Sequence, residues 1–75
     1  MKAKIYITLK PGVLDPQGKA VHQALAQLGF NEVRDVRVGK YIEVELAKNS
    51  EERVRQMCDK LLANTVIESY RFEME

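Results

Sequence analysis

Seventy-five residues with a formal net charge of +1, 45% of them hydrophobic and 31% charged, make one domain of ordinary globular composition spanning 1–75. No apolar run reaches membrane-spanning length, the interspersed acids and bases give no footprint for nucleic acid or anionic lipid, and a lone Cys58 excludes an intrachain disulfide or a cysteine-built zinc site. Met1 leads straight into a strand pattern with no signal or transit composition, so a cytoplasmic location is expected.

In chain order, Ala3, Ile5, Ile7 and Leu9 alternate with Lys4, Tyr6 and Thr8, the pattern of a half-buried strand. A loop follows that carries both prolines and two of the four glycines. Pro11 and Gly12 suit the central positions of a type II turn, with proline presetting φ and glycine accepting a positive one. Asp15 suits an N-cap and Pro16 the first helical position, where a missing N–H costs nothing. Val21, Ala24, Leu25 and Leu28 then fall at helical spacing, and Gly29 ends the helix. Gly18 shares that inward face, where a glycine permits close approach of the backbone to the sheet or to a partner.

Asn31–Val38 reads as a second strand, with Val36 and Val38 toward the core and Asp35 and Arg37 outward. Gly39 and Lys40 read as a tight turn, and 41–47 as a third strand whose Ile42, Val44 and Leu46 face inward. Asn49 caps a second helix with Val54, Met57, Cys58, Leu61 and Leu62 on its apolar stripe. Asn64 suits the left-handed position after it, and Val66, Tyr70, Phe72 and Met74 line a last strand. The order βαββαβ predicts an α+β, ferredoxin-like domain: a four-stranded antiparallel sheet with both helices on one face.

That arrangement leaves a second sheet face carrying Lys4, Tyr6, Thr8, Asp35, Arg37, Tyr41, Glu43, Glu45, Arg71 and Glu73. It reads either as a solvated, charge-alternating surface or as a polar protein interface, since tyrosine and arginine are enriched where proteins meet. Glu43 and Glu45 beside Tyr41 argue against RNA. No nucleophile with a base, carboxylate pair or metal cluster is visible: His22 is the one histidine on a helix flank, and Cys58 belongs to an apolar stripe. The Lys10, Pro11, Gly12 turn lacks the spacing of a phosphate-binding loop. No catalytic, cofactor-binding or metal residue is therefore assigned.

Three blocks, LKPGVLDPQGKAV at 9–21, VRDVRVGKYIEVEL at 33–46 and MCDKLLANTVIESYRFE at 57–73, resemble the PurS family, the small subunit of phosphoribosylformylglycinamidine synthase. The likeness covers nearly the whole chain in the same order. It departs at a shortened segment between Leu46 and Met57, at Thr65 where proline is frequent and at Ser69 where an acid is common. The resemblance implies the same fold and a noncatalytic role in de novo purine synthesis. It implies a dimer, or higher homo-oligomer, that bridges a glutaminase subunit and a large synthetase subunit and supports ammonia transfer between them. ATP and Mg belong in that scheme to the synthetase. On this view the doubly pinned loop is a docking surface, since preordering reduces the cost of association. The interface residues expected are Lys10, Pro11, Gly12, Asp15, Pro16 and Gly18, joined by Arg37, Lys40 and Tyr41 of the hairpin. Because fold does not determine function, two other readings stay open: a dimeric ferredoxin-like regulatory domain that binds a small molecule, and a stand-alone acylphosphatase-type enzyme.

Overall fold

A computed structural model describes residues 1–75 and shows five regular elements: β1 (Lys2–Leu9), α1 (Pro16–Gln27), β2 (Lys40–Glu45), α2 (Glu51–Met57) and β3 (Glu68–Met74), with a π-helical turn over Cys58–Leu62 after α2. The sheet has three strands in the order β2-β1-β3, both pairings antiparallel. Ile5 lies between Ile42 and Phe72, and Tyr6 between Tyr41 and Arg71, so the alternation of β1 is carried across the whole sheet. One face holds the core of Ala3, Ile5 and Ile7, closed by Val54, Cys58 and Ala63 and flanked by half-buried Ile42, Val44, Leu46, Tyr70, Phe72 and Met74.

The expected four-stranded sheet is not formed. Residues 31 and 32 form a turn and 33–39 pair with no strand, and the chain enters β2 at Lys40. Gly39 is the reason the hairpin is missing. It has no positive φ, which the tight hairpin turns require, and a Cβ there would collide with the Ile7 carbonyl. This glycine lets backbone meet backbone rather than reversing the chain.

Helix α1 departs from expectation in its surroundings and not in its limits. Asp15 caps it, accepting from the Gly18 N–H, and Pro16 opens it. At the far end Gly29 has φ +98°, Phe30 N–H donates to the Leu25 carbonyl and Gly29 N–H to Ala26, which is the double closure that ends helices at a left-handed glycine. Yet the stripe does not reach the core. Gly18 is the only buried residue of the helix, while Val21 is 43%, Leu28 74% and Phe30 48% exposed. The helix and 31–39 form an arm that runs out from the sheet, and the molecule measures 47 × 25 × 14 Å.

Three smaller corrections concern the second half. Ser50, not Asn49, caps α2, accepting from Arg53 N–H. The Ala63 N–H reaches back to Cys58, five residues away, and this wider turn keeps both residues on the sheet while turning Leu61 out to solvent. Asn64 has no positive φ; its side-chain oxygen accepts from Val66 N–H instead. Val66 consequently precedes the strand and is exposed.

Candidate functional site

The loop between β1 and α1 is tied into a knot by side chains rather than by sheet pairing. Val13 N–H donates to the Lys10 carbonyl at 3.1 Å and Gly12 has φ +86°, the geometry proline and glycine prescribe for this turn. Asp15 is 6% exposed and uses both carboxylate oxygens: Oδ1 accepts from Gly18 N–H at 2.9 Å and Oδ2 from Val38 N–H at 2.8 Å. These two backbone donors, with Arg37 nearby, hold the Asp15 carboxyl below its ordinary range. Arg37 closes the knot from the other side, donating to the Val13 and Lys10 carbonyls at 3.3 and 3.2 Å. A Cβ on Gly18 would strike the Val36 carbonyl, so the close approach anticipated for this residue is made to the arm's own backbone and not to the sheet.

The structure thus brings Lys10, Pro11, Gly12, Asp15, Pro16, Gly18 and Arg37 together. Lys10 anchors the base, its Nζ donating to the Thr65 carbonyl at 2.7 Å and its N–H to Ile67 at 2.8 Å. Lys40 stands at the rim of a cleft of about 370 Å³ between arm and sheet, 3.4 Å from Glu68 across the opening from Leu14 and Gln17. Glu68 also accepts from Asn64 N–H at 2.7 Å, and that donor together with Lys40 lowers its pKa. Nothing in the sequence singled out Glu68, because its partners lie on other elements.

Tyr41 sits apart from the knot, on the outer sheet face. Its ring lies 5.2 Å from that of Tyr6, and the Arg71 guanidinium covers Tyr6 at 4.0 Å. Its hydroxyl donates to Glu43 at 2.7 Å, and that carboxylate pushes the phenol up to about 12. The stack was legible only as a list of outward residues; strand register made Tyr6, Tyr41 and Arg71 neighbours. No group of three or more His, Cys, Asp or Glu side chains is placed to hold a metal ion, and His22 binds the Val33 carbonyl at 2.9 Å. Burial raises the Cys58 thiol.

Fold and surface define a small α+β domain that carries a pinned loop and an aromatic-cationic sheet face. Comparison with known proteins says which family builds such a domain. The model of PurS, phosphoribosylformylglycinamidine (FGAM) synthase, matches residues 2–75. The PurS subunit of Bacillus subtilis is 54% identical over 99% of this chain and 92% of its own, and that of Synechocystis 55% identical over 95% and 75%. Among solved structures, B. subtilis PurS superposes with a TM-score of 0.89 at 53% identity, covering 99% of this chain and 96% of that one. A chain of PurLQS from Thermotoga maritima does so with 0.83 at 29% identity, over 96% and 93%. This chain belongs to the PurS family, a subunit of phosphoribosylformylglycinamidine synthase.

Proposed function

We propose that the chain is the noncatalytic bracket of this synthase, holding the glutaminase and the ATP-dependent synthetase subunits together and supporting ammonia transfer between them. It acts as a homodimer or higher homo-oligomer. It has no active site of its own, and ATP and Mg are held by the large synthetase subunit. The observation that supports this reading is similarity over 96% of the chain to a chain of PurLQS, in a domain that also carries a pinned loop and an aromatic-cationic sheet face.

The docking surface is the knot of Lys10, Pro11, Gly12, Asp15, Pro16 and Gly18 with Arg37, extended by Lys40 and Tyr41. Its support is physical. A loop held by two carboxylate and two guanidinium hydrogen bonds loses little freedom on binding. Replacing Gly12 and Asp15 by alanine together is expected to weaken assembly of the complex at least about tenfold while leaving the sheet folded. Unchanged assembly would remove the loop from the interface.

The bracket itself is tested by ligase turnover with the other two subunits, with and without this chain, comparing glutamine and free ammonia as nitrogen donor. Dependence on the chain with glutamine but much less with ammonia is the expected result. If neither rate responds, the coupling role fails and saturable binding of a small molecule by the isolated chain becomes the reading to pursue.

A further inference from the structure

Glu68 opens β3 opposite Leu9, the last residue of β1, and Lys40 opens β2 opposite Ile7. Because β1 is the middle strand, their ion pair at 3.4 Å reaches over it and ties one outer strand to the other. The other four ion pairs differ from it in kind. Lys2–Glu43, Lys4–Glu75, Arg55–Glu52 and Arg71–Glu73 each join two side chains that are 30% exposed or more, and solvent screens such pairs to little net effect. The Glu68 side chain is only 14% exposed. It lines the cleft between arm and sheet together with Ile7, Leu9 and Leu14.

Each oxygen of this carboxylate holds a different element. Oε2 faces Lys40, through which the arm continues into β2. Oε1 accepts from the Asn64 N–H at 2.7 Å and closes a turn whose other bonds also converge on Asn64. The Asn64 carbonyl accepts from the Ile67 and Glu68 N–H groups at 3.0 and 2.7 Å, and its side-chain oxygen from Val66 N–H at 3.2 Å. The base of the pinned loop rests on that turn. Both kinds of donor on Lys10 go there, the N–H to the Ile67 carbonyl at 2.8 Å and Nζ to that of Thr65 at 2.7 Å. Arg37 completes the circuit, since it lies three residues before Lys40 and donates to the Lys10 carbonyl at 3.2 Å. Turn, loop and arm are thus joined in a ring: Lys10 links loop to turn, Arg37 arm to loop, and Glu68 turn to arm. Glu68 also closes one of the parts it links.

We propose that Glu68 is a positioning residue, which fixes the pinned loop and the arm at one mutual angle by closing the turn beneath the loop with one oxygen and holding Lys40 with the other. It does so without belonging to the docking surface. The inference rests on the docking reading above, in which a bracket offers Lys10, Arg37 and Lys40 to its partner in one preset arrangement. A single carboxylate with two roles leaves a separable signature. In Glu68→Gln the amide oxygen still accepts from Asn64 N–H, while the NH2 group turns a donor toward the Lys40 ammonium. The turn then stays closed and the grip on the arm is lost. Glu68→Ala loses both, and Lys40→Met loses the grip alone.

Amide exchange in the intact chain reads the two roles separately, at the Lys10 N–H held by the turn and at the Val38 N–H held by Asp15 on the arm. Glu68→Ala is expected to speed both by about tenfold. Glu68→Gln and Lys40→Met should speed Val38 by about fivefold and leave Lys10 as it was. Ile5, on the middle strand, should not change in any of them. With the glutaminase and synthetase subunits present, Glu68→Ala should weaken assembly about tenfold. Unchanged exchange at Lys10 and Val38 in Glu68→Ala overturns the inference. Weaker assembly with those amides unchanged overturns it too, since Glu68 would then be a contact of the partner. Faster exchange at both with assembly unchanged keeps the positioning role and removes the loop from the docking surface. Should Glu68→Ala fail to fold, Val38 in the other two variants decides alone: faster exchange sustains the inference and unchanged exchange overturns it.

Discussion

The sheet with α2 and the arm with α1 are built from equally clear sequence patterns and end in opposite states. In the first, alternation on β1 and helical spacing on α2 meet, and Ile5, Ile7, Val54 and Cys58 are fully enclosed. In the second, an equally regular stripe on α1 does not join that core, leaving Val21 and Leu28 exposed, and the arm carries polar contacts from the Asp15 carboxylate, the Arg37 guanidinium and the His22 ring, each on backbone groups. Burial stabilises one half and hydrogen bonding orients the other. The two should respond differently to the same insult.

The largest difference is expected from paired truncations. Ile5→Ala removes buried methyl groups from the centre of the sheet and should cost about 2–5 kcal/mol, enough to lower Tm by more than about 10 °C in a domain this small. Leu28→Ala on the arm, in dilute chain, should stay within about 0.5 kcal/mol. Equal losses in thermal melts would mean that the arm is part of the same cooperative core.

Next comes the joint between the halves. Gly18→Ala drives a methyl group into the Val36 carbonyl and should cost about 1–3 kcal/mol through displacement of the arm strand. Asp15→Ala releases the Val38 and Gly18 N–H groups together, and a fall in Tm of about 5 °C is expected. If amide exchange at Val38 is unchanged in that variant, the carboxylate is not what holds the arm.

Acid tests the same joint without mutation. Asp15 has its carboxyl below the ordinary 3.8, so its contribution is present above that pH and is lost as the pH falls through the depressed value. Glu68, also lowered, adds to the loss on the same side. Melts from pH 6 down to pH 2 should show Asp15→Asn less acid-sensitive than the parent chain.

The smallest effect is spectroscopic. Tyr41 and Tyr70, whose hydroxyls donate to Glu43 and Asp59 at 2.7 Å, are both pushed up to about 12. Each phenol favours the folded state below its ordinary 10.0 and loses that contribution as the pH rises through about 12. An absorbance titration should show two late phenols, with one lost in Tyr41→Phe. Loss of that phenol with no change in Tm would mark Tyr41 as a surface group.

Local chemistry was readable residue by residue. Pro11-Gly12 gave its turn, Asp15-Pro16 the helix start, Gly29 its end and the alternation of 3–9 its strand, because each depends on neighbours a few residues away. The resemblance of three sequence blocks to PurS likewise needed no coordinates, and the family match over 2–75 agrees with it. What those residues could not determine was whether 33–38 folds back. An alternating segment before a glycine reads as half of a hairpin, and the reading fails because Gly39 is required for contact with Ile7 across the sheet, a constraint 32 positions away in the chain. With 33–39 unpaired, α1 stays outside the core its stripe was patterned for. Pattern states that a face must be covered. Only the packing of distant backbone decides that, within one chain, it is left open.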